Sequence, residues 1–172
     1  MEKGYIQVYT GNGKEKITAA LGLALRAAGS GLRVYIARFM EKGHYSEIRA
    51  LERLSDRIAV EQFGTGCFVP GKPDAADFEA AGKGLDAARQ AMLSGDYDMV
   101  VLEEANLAYE SKIISEQDLM DFVSAKPDAV ELVLTGRGGA PGVLERADLI
   151  TDIKPVRHYF EQGVGACTGI ES

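Results

Sequence analysis

At 172 residues the chain has the length of one domain and enough sequence to bury a full-sized core. Lys and Arg number 19 against 26 Asp and Glu, a formal charge of −7, which leaves no basic field to gather nucleic acid. A hydrophobic fraction of 46% with 26% charged residues excludes a disordered or fibrous chain.

The first residues, Met1-Glu2-Lys3-Gly4-Tyr5, carry an acid and a glycine where a secretory leader has a basic start and an apolar run. No apolar stretch approaches the roughly 20 residues of a membrane-spanning helix, so a cytoplasmic protein is expected, with no membrane and no nucleic-acid partner. Residues 5–9, β-branched and aromatic, read as a first strand, and residues 18–28, rich in Ala and Leu, as a first helix stopped by Gly29 and Gly31. Residues 33–39 and 58–63 read as strands. The longest irregular stretch, 64–73, is either the lining of a ligand site or a surface excursion. Residues 74–93 read as a helix with Phe78, Leu85, Ala88 and Met92 near one face and Gly95 closing it. A strand follows at 98–102. Ser115 with Asp118 approximates a capping box ahead of the apolar stripe Leu119, Phe122 and Val123. Residues 130–134 and 148–153 complete the strands, and 154–172 read as irregular or a short hairpin. Cys67 and Cys167 lack Cys-x-x-Cys spacing and are expected to be separate thiols. Strands alternating with helices predict a single-domain α/β fold, an open, mostly parallel sheet with helices on both faces.

Between the first strand and the first helix stands Thr10-Gly11-Asn12-Gly13-Lys14-Glu15-Lys16-Ile17-Thr18, where open α/β sheets bind ligands. A phosphate loop needs glycines so that backbone N–H groups can face oxygens, a lysine to neutralise charge, and a hydroxyl at the helix start for Mg2+. Gly11, Gly13 and Lys16 meet part of that demand. Glu15 stands where a glycine is wanted: a left-handed backbone there costs roughly 1–2 kcal/mol. Its charge about 6 Å from a phosphate is opposed by roughly 3 kcal/mol at an effective dielectric near 20. Ile17 replaces the hydroxyl, and Thr18, about 100° further round the helix, does not stand in for it. Glu103 and Glu104 end a strand where an acid faces Mg2+ across from such a loop, with Glu103 assigned to the metal; two solvated acids are the other reading.

Gly11-Asn12-Gly13-Lys14 with Lys16, followed by Thr18-Ala19-Ala20-Leu21-Gly22-Leu23-Ala24-Leu25-Arg26-Ala27, resembles the P-loop type of ATP:corrinoid adenosyltransferase. The likeness continues through Phe39, Lys42-Gly43, Tyr97-Asp98, Val100-Val101-Leu102, Glu104, Leu134-Thr135-Gly136-Arg137 and Ala147-Asp148-Leu149-Ile150-Thr151, and ends in Lys154-Pro155-Val156-Arg157-His158 and Gly169-Ile170-Glu171. It implies a P-loop NTPase-like, RecA-like fold and displacement at C5′ of ATP by a Co(I) corrinoid, releasing triphosphate. Cobalt is then the nucleophile, and the protein supplies alignment, exclusion of water and charge stabilisation. Lys16 and Arg137 are the implied catalytic residues. Gly11, Asn12, Gly13 and Lys14 would hold phosphates, with Glu15, Ile17 and Thr18 completing the loop, Arg26 near the nucleoside and Glu104 in the ATP site.

Phe68 would lie below the corrin ring, with Cys67 beside it, and His158 matches a family position without a chemical role. Arg38 stands in place of a usual Gln and Glu41 in place of a common Lys, with an Arg38–Glu15 pair as one compensation. Substrates ATP and corrinoid, a Mg2+ ion, an electron-donating reductase and a homodimer follow from the likeness. Two alternatives remain at this point: a catalytically impaired paralogue that binds a corrinoid or protein partner without ATP chemistry, and a general NTPase.

Overall fold

The computed structural model describes residues 2–66 and 72–170. Strands β1 Ile6–Thr10, β2 Val34–Phe39, β3 Ile58–Phe63, β4 Met99–Glu103, β5 Glu131–Thr135 and β6 Leu149–Asp152 form one sheet in the order β3-β2-β4-β5-β1-β6. Every pairing is parallel, so each strand must return through a crossover. The crossovers carry α1 Lys16–Gly29, α2 Ser46–Leu51, α3 Ala75–Leu93, α4 Ala105–Glu110, α5 Glu116–Ser124 and α6 Pro141–Arg146. No helix among the described residues is long and apolar enough to cross a membrane.

Alternation along the strands splits the core in two. Val100, Leu102, Leu132 and Leu134 meet Ala88 and Met92 of α3 and Leu119 and Phe122 of α5. On the opposite face Met99, Val101 and Val133 meet Ala20, Ala24 and Ala27 of α1. Strands β2, β4 and β5 are buried at every residue, as apolar strands covered on both sides must be, whereas all four residues of the edge strand β6 are exposed.

The helix boundaries follow local chemistry. Ser115 and Asp118 close the expected capping box, and Asp74 with Asp77 closes another at the start of α3. Helix α1 begins at Lys16, earlier than its Ala-rich run suggests, and Gly31 at φ +90° makes the left-handed stop. Phe78 departs from expectation and is 48% exposed, because it lies about 80° round from Ala88 at 100° per residue. The buried row is Ala81, Gly84, Ala88, Ala91 and Met92. Helices α2, α4 and α6 escape the sequence pattern because one or two turns are too short to display a period. Beyond β6 the described residues form no hairpin, only a 3-10 turn at Tyr159–Gln162.

Gly84 lets α3 approach the aromatic end of the sheet: a Cβ there would come within 2.7 Å of Phe39 Cε1 and 2.9 Å of Phe63 Cβ. Gly84→Ala is therefore expected to lose about 1 kcal/mol, since overpacking of roughly 1–3 kcal/mol exceeds the ~1 kcal/mol gain in helix propensity. A lowered urea midpoint with unchanged slope is the measurement.

Candidate functional site

The carboxyl ends of β1, β2, β4 and β5 bring three chemical groups to one edge of the sheet. The first is the glycine loop. Gly11 adopts φ +98°, and a Cβ on it would run into the backbone of Ile153, so both conformation and packing demand glycine. The Gly13 N–H donates to the Ile153 carbonyl at 2.8 Å, so this amide faces the segment after β6 and not the interior of the loop, unlike the expectation for a phosphate donor. Thr10 Oγ1 donates to the Gly138 carbonyl at 2.5 Å and ties the loop to the one after β5.

Lys16 is buried at the start of α1 and donates from Nζ to the Gly13 carbonyl at 2.6 Å. Burial pulls its pKa down, Glu104 opposes that, and Arg137 adds to it. Glu15 is the residue before the helix, at φ −82° and ψ 3°, so the left-handed strain expected there is absent. Its side chain is exposed and makes no capping hydrogen bond, which leaves only the charge objection to phosphate. Strain appears instead at Glu104, which sits at φ +60° between β4 and α4 and donates its N–H to Thr135 Oγ1 at 3.0 Å. A non-glycine residue in that region costs roughly 1–2 kcal/mol and marks a carboxylate held where its environment needs it. Burial raises the pKa of Glu104 against the pull of Lys16 and then Arg137, while Glu41 pushes it further up.

Glu103 does not present its carboxylate to the loop as expected. It is 1% exposed, its Oε1 accepts from Arg38 Nε, and Arg38 Nη2 donates to Glu47 Oε1 at 2.5 Å. The register that pairs Arg38 with Glu103 across β2 and β4 puts both on the α1 face. Arg38 thus spans Glu103 and Glu47, with the Tyr45 ring 4.7 Å below its guanidinium, and the suggested Arg38–Glu15 pair is replaced by these contacts. Glu103 Oε2 and Arg38 Nη1 are buried without a hydrogen-bond partner. Burial pushes Glu103 up to about 7 despite Arg38.

The remaining expected residues scatter. Asn12, Lys14 and Thr18 are exposed on the loop or its helix, Ile17 is half-buried, and Arg137 is exposed on the loop after β5. Arg26 lies in the last turn of α1, roughly 15 Å along the axis from Lys16, so the structure does not bring it to the glycine loop. His158 accepts the Phe160 N–H at 3.1 Å on Nδ1, a structural cap. Phe68 and Cys67 lie outside the described residues, as does Glu171. Sequence reasoning passed over Glu47, Tyr45 and Tyr159, none of which belongs to a recognisable spacing, and it quoted Thr135 in the family pattern without a role; Tyr159 accepts from Lys14 Nζ at 2.9 Å.

Among the described residues no three or more His, Cys, Asp or Glu cluster as a metal cage. Mg2+ asks for less, since it keeps waters and substrate phosphates and takes one or two carboxylates. Glu104, buried in the field of Lys16 and Arg137, fits that requirement, whereas Glu103, engaged by Arg38 and shut from solvent, does not.

A parallel α/β sheet with a glycine loop, a buried lysine and a strained carboxylate at its carboxyl edge is the architecture of a P-loop NTPase-like protein. The family model of the ATP:corrinoid adenosyltransferases, BtuR/CobO/CobP, matches residues 2–172, and the chain belongs to that family. Corrinoid adenosyltransferase of Pseudomonas aeruginosa is 31% identical over 99% of this chain and 84% of its own length. The Escherichia coli K12 enzyme of the same name is 31% identical, and corrinoid adenosyltransferase CobA of Salmonella typhimurium 32%, each over 99% of this chain and 86% of the relative. The chain is an enzyme of this kind, and these relatives lend the impaired-paralogue alternative no support.

Proposed function

We propose that this protein transfers the 5′-deoxyadenosyl group of ATP to a Co(I) corrinoid. The cobalt electron pair forms the Co–C5′ bond, the C5′–O bond breaks, and its pair leaves on triphosphate, with cobalt formally oxidised by two electrons. No protein base is needed for that step, which suits a site whose nearest groups are Lys16, Arg137 and Glu104. The observation that carries the reading is the buried Lys16 ammonium, bonded to its own loop and set in the field of Glu104 beside the helix N-terminus.

In this reading Lys16 and Arg137 stabilise charge growing on the leaving triphosphate, and Gly11, Asn12, Gly13 and Lys14 enclose it. Glu104 would hold Mg2+, whose charge would neutralise part of the phosphate charge, while Glu103, tied to Arg38, stands apart. Arg26 sits too far down α1 to share this pocket and its nucleoside role rests on the resemblance alone. The cytoplasmic setting, the homodimer and the reductase that supplies Co(I) rest there too.

The test is calorimetric titration of Mg·ATP, followed by anaerobic incubation with chemically reduced cobalamin and detection of light-sensitive product. Binding and turnover are expected in the unaltered protein, and Glu15→Gly with Ile17→Thr is expected to tighten Mg·ATP about tenfold or more by removing the charge conflict and restoring a metal hydroxyl. Turnover confined to the double variant would leave the unaltered protein without this activity.

A further inference from the structure

The segment after β6 has no part in the reading above, yet it forms a wall of the glycine loop. Ile153 donates its N–H to the Thr10 carbonyl at 2.9 Å and accepts the Gly13 N–H at 2.8 Å, so the segment is stitched to both sides of the turn. A few residues on, His158 Nδ1 accepts the Phe160 N–H, the 3-10 turn Tyr159–Gln162 follows, and the His158 ring lies 5.0 Å from that of Tyr159. This fixes the position from which Tyr159 reaches back over the loop. Its hydroxyl accepts from Lys14 Nζ at 2.9 Å, and its ring centroid lies 5.5 Å from the same nitrogen.

We propose that Tyr159 is a positioning residue that holds the Lys14 ammonium over the glycine loop for the triphosphate of the nucleotide, an assignment that rests on the phosphate-binding reading of that loop. Lys14 is exposed on a turn, where a four-carbon stem carries rotamer entropy that a fixed partner removes in advance. Tyrosine suits the task better than an acid would. It accepts one of the three ammonium protons without cancelling the charge. This chain has a particular need for a placed cation, because Glu15 adds a negative charge to the same loop and the Gly13 N–H is turned away to Ile153.

A double-mutant cycle on the full chain tests it, with inorganic tripolyphosphate and Mg·ATP as calorimetric probes. Tyr159→Phe keeps the ring and removes the acceptor. It is expected to weaken tripolyphosphate about three- to tenfold while Lys14 is present and to have no effect in a Lys14→Ala background. Tyr159→Gln, which restores a neutral acceptor, is expected to recover part of the affinity. Equal weakening in both backgrounds, no weakening, or tighter binding in Tyr159→Phe overturns the proposal while leaving the phosphate reading intact. Failure of the unaltered protein to bind either probe overturns both.

Discussion

Arg38→Met is expected to destabilise the protein by about 3–5 kcal/mol near pH 8, because it strands the buried Glu103 carboxylate that Arg38 now pairs. The loss should depend on pH in a defined direction. Glu103 already titrates near 7, above its ordinary range, so it contributes stability at low pH that fades as pH rises through that value. Without the guanidinium its pKa climbs further. The variant's deficit relative to the unaltered protein is therefore smallest around pH 5, where Glu103 is neutral in both, and grows toward pH 8. Adding Glu103→Leu should recover most of the loss. That double variant exchanges a buried ion pair for apolar groups and removes two buried orphans, Arg38 Nη1 and Glu103 Oε2. Glu47, 29% exposed, can turn to water. Urea unfolding of the unaltered protein and the two variants at both pH values decides the matter; a double variant no more stable than Arg38→Met would show that Arg38 acts through Glu47 and Tyr45 and not through Glu103.

That pair also shows what a linear reading of this chain can reach. Apolar runs such as Met99-Val100-Val101-Leu102 announce strands covered on both faces, and the glycine loop announces the carboxyl edge where the site forms, so the sheet and its functional end are legible before any coordinates. Partner choice across strands is not legible. Arg38 meets Glu103 because β2 and β4 are neighbours in a particular register, and a sequence carries no direct trace of which strands adjoin. The same blindness moved strain to Glu15, the position that looked wrong, when the chain bears it at Glu104, held by an N–H···Oγ1 bond to Thr135 from another strand. The demand for glycine at Gly11 and Gly13 likewise comes in part from Ile153, far along the chain, and not only from a ligand. Arg26 illustrates the converse: its place in the family pattern is plain and implies a position near the nucleoside, but about three turns of helix separate it from the glycine loop.

Lys16→Ala is expected to be the most damaging substitution to activity, lowering the rate of adenosyl transfer by about 10²–10³-fold. Lys16 is 5% exposed, and its Nζ lies 2.6 Å from the Gly13 carbonyl, so the ammonium is already inside the turn before any nucleotide arrives. Moving it from that carbonyl to a phosphate oxygen exchanges a neutral acceptor for an anionic one without recruiting a new side chain from solvent. In the proposed transfer the leaving triphosphate gains negative charge as the C5′–O bond breaks, so a lysine in contact with it would hold the transition state more tightly than bound ATP, and the fall in kcat should exceed the rise in KM. Arg137→Ala should fall short of this, by about tenfold in rate, because an exposed guanidinium works through screened water. Lys16→Met provides the control for packing: it fills the cavity with an apolar chain, so a rate as low as that of Lys16→Ala assigns the loss to charge, whereas recovery assigns it to volume. Single-turnover kinetics with reduced cobalamin separate binding from transfer. If Lys16→Ala transfers adenosyl at the rate of the unaltered protein, the triphosphate does not lie in this turn, and Arg137 and Glu104 must be reassigned with it.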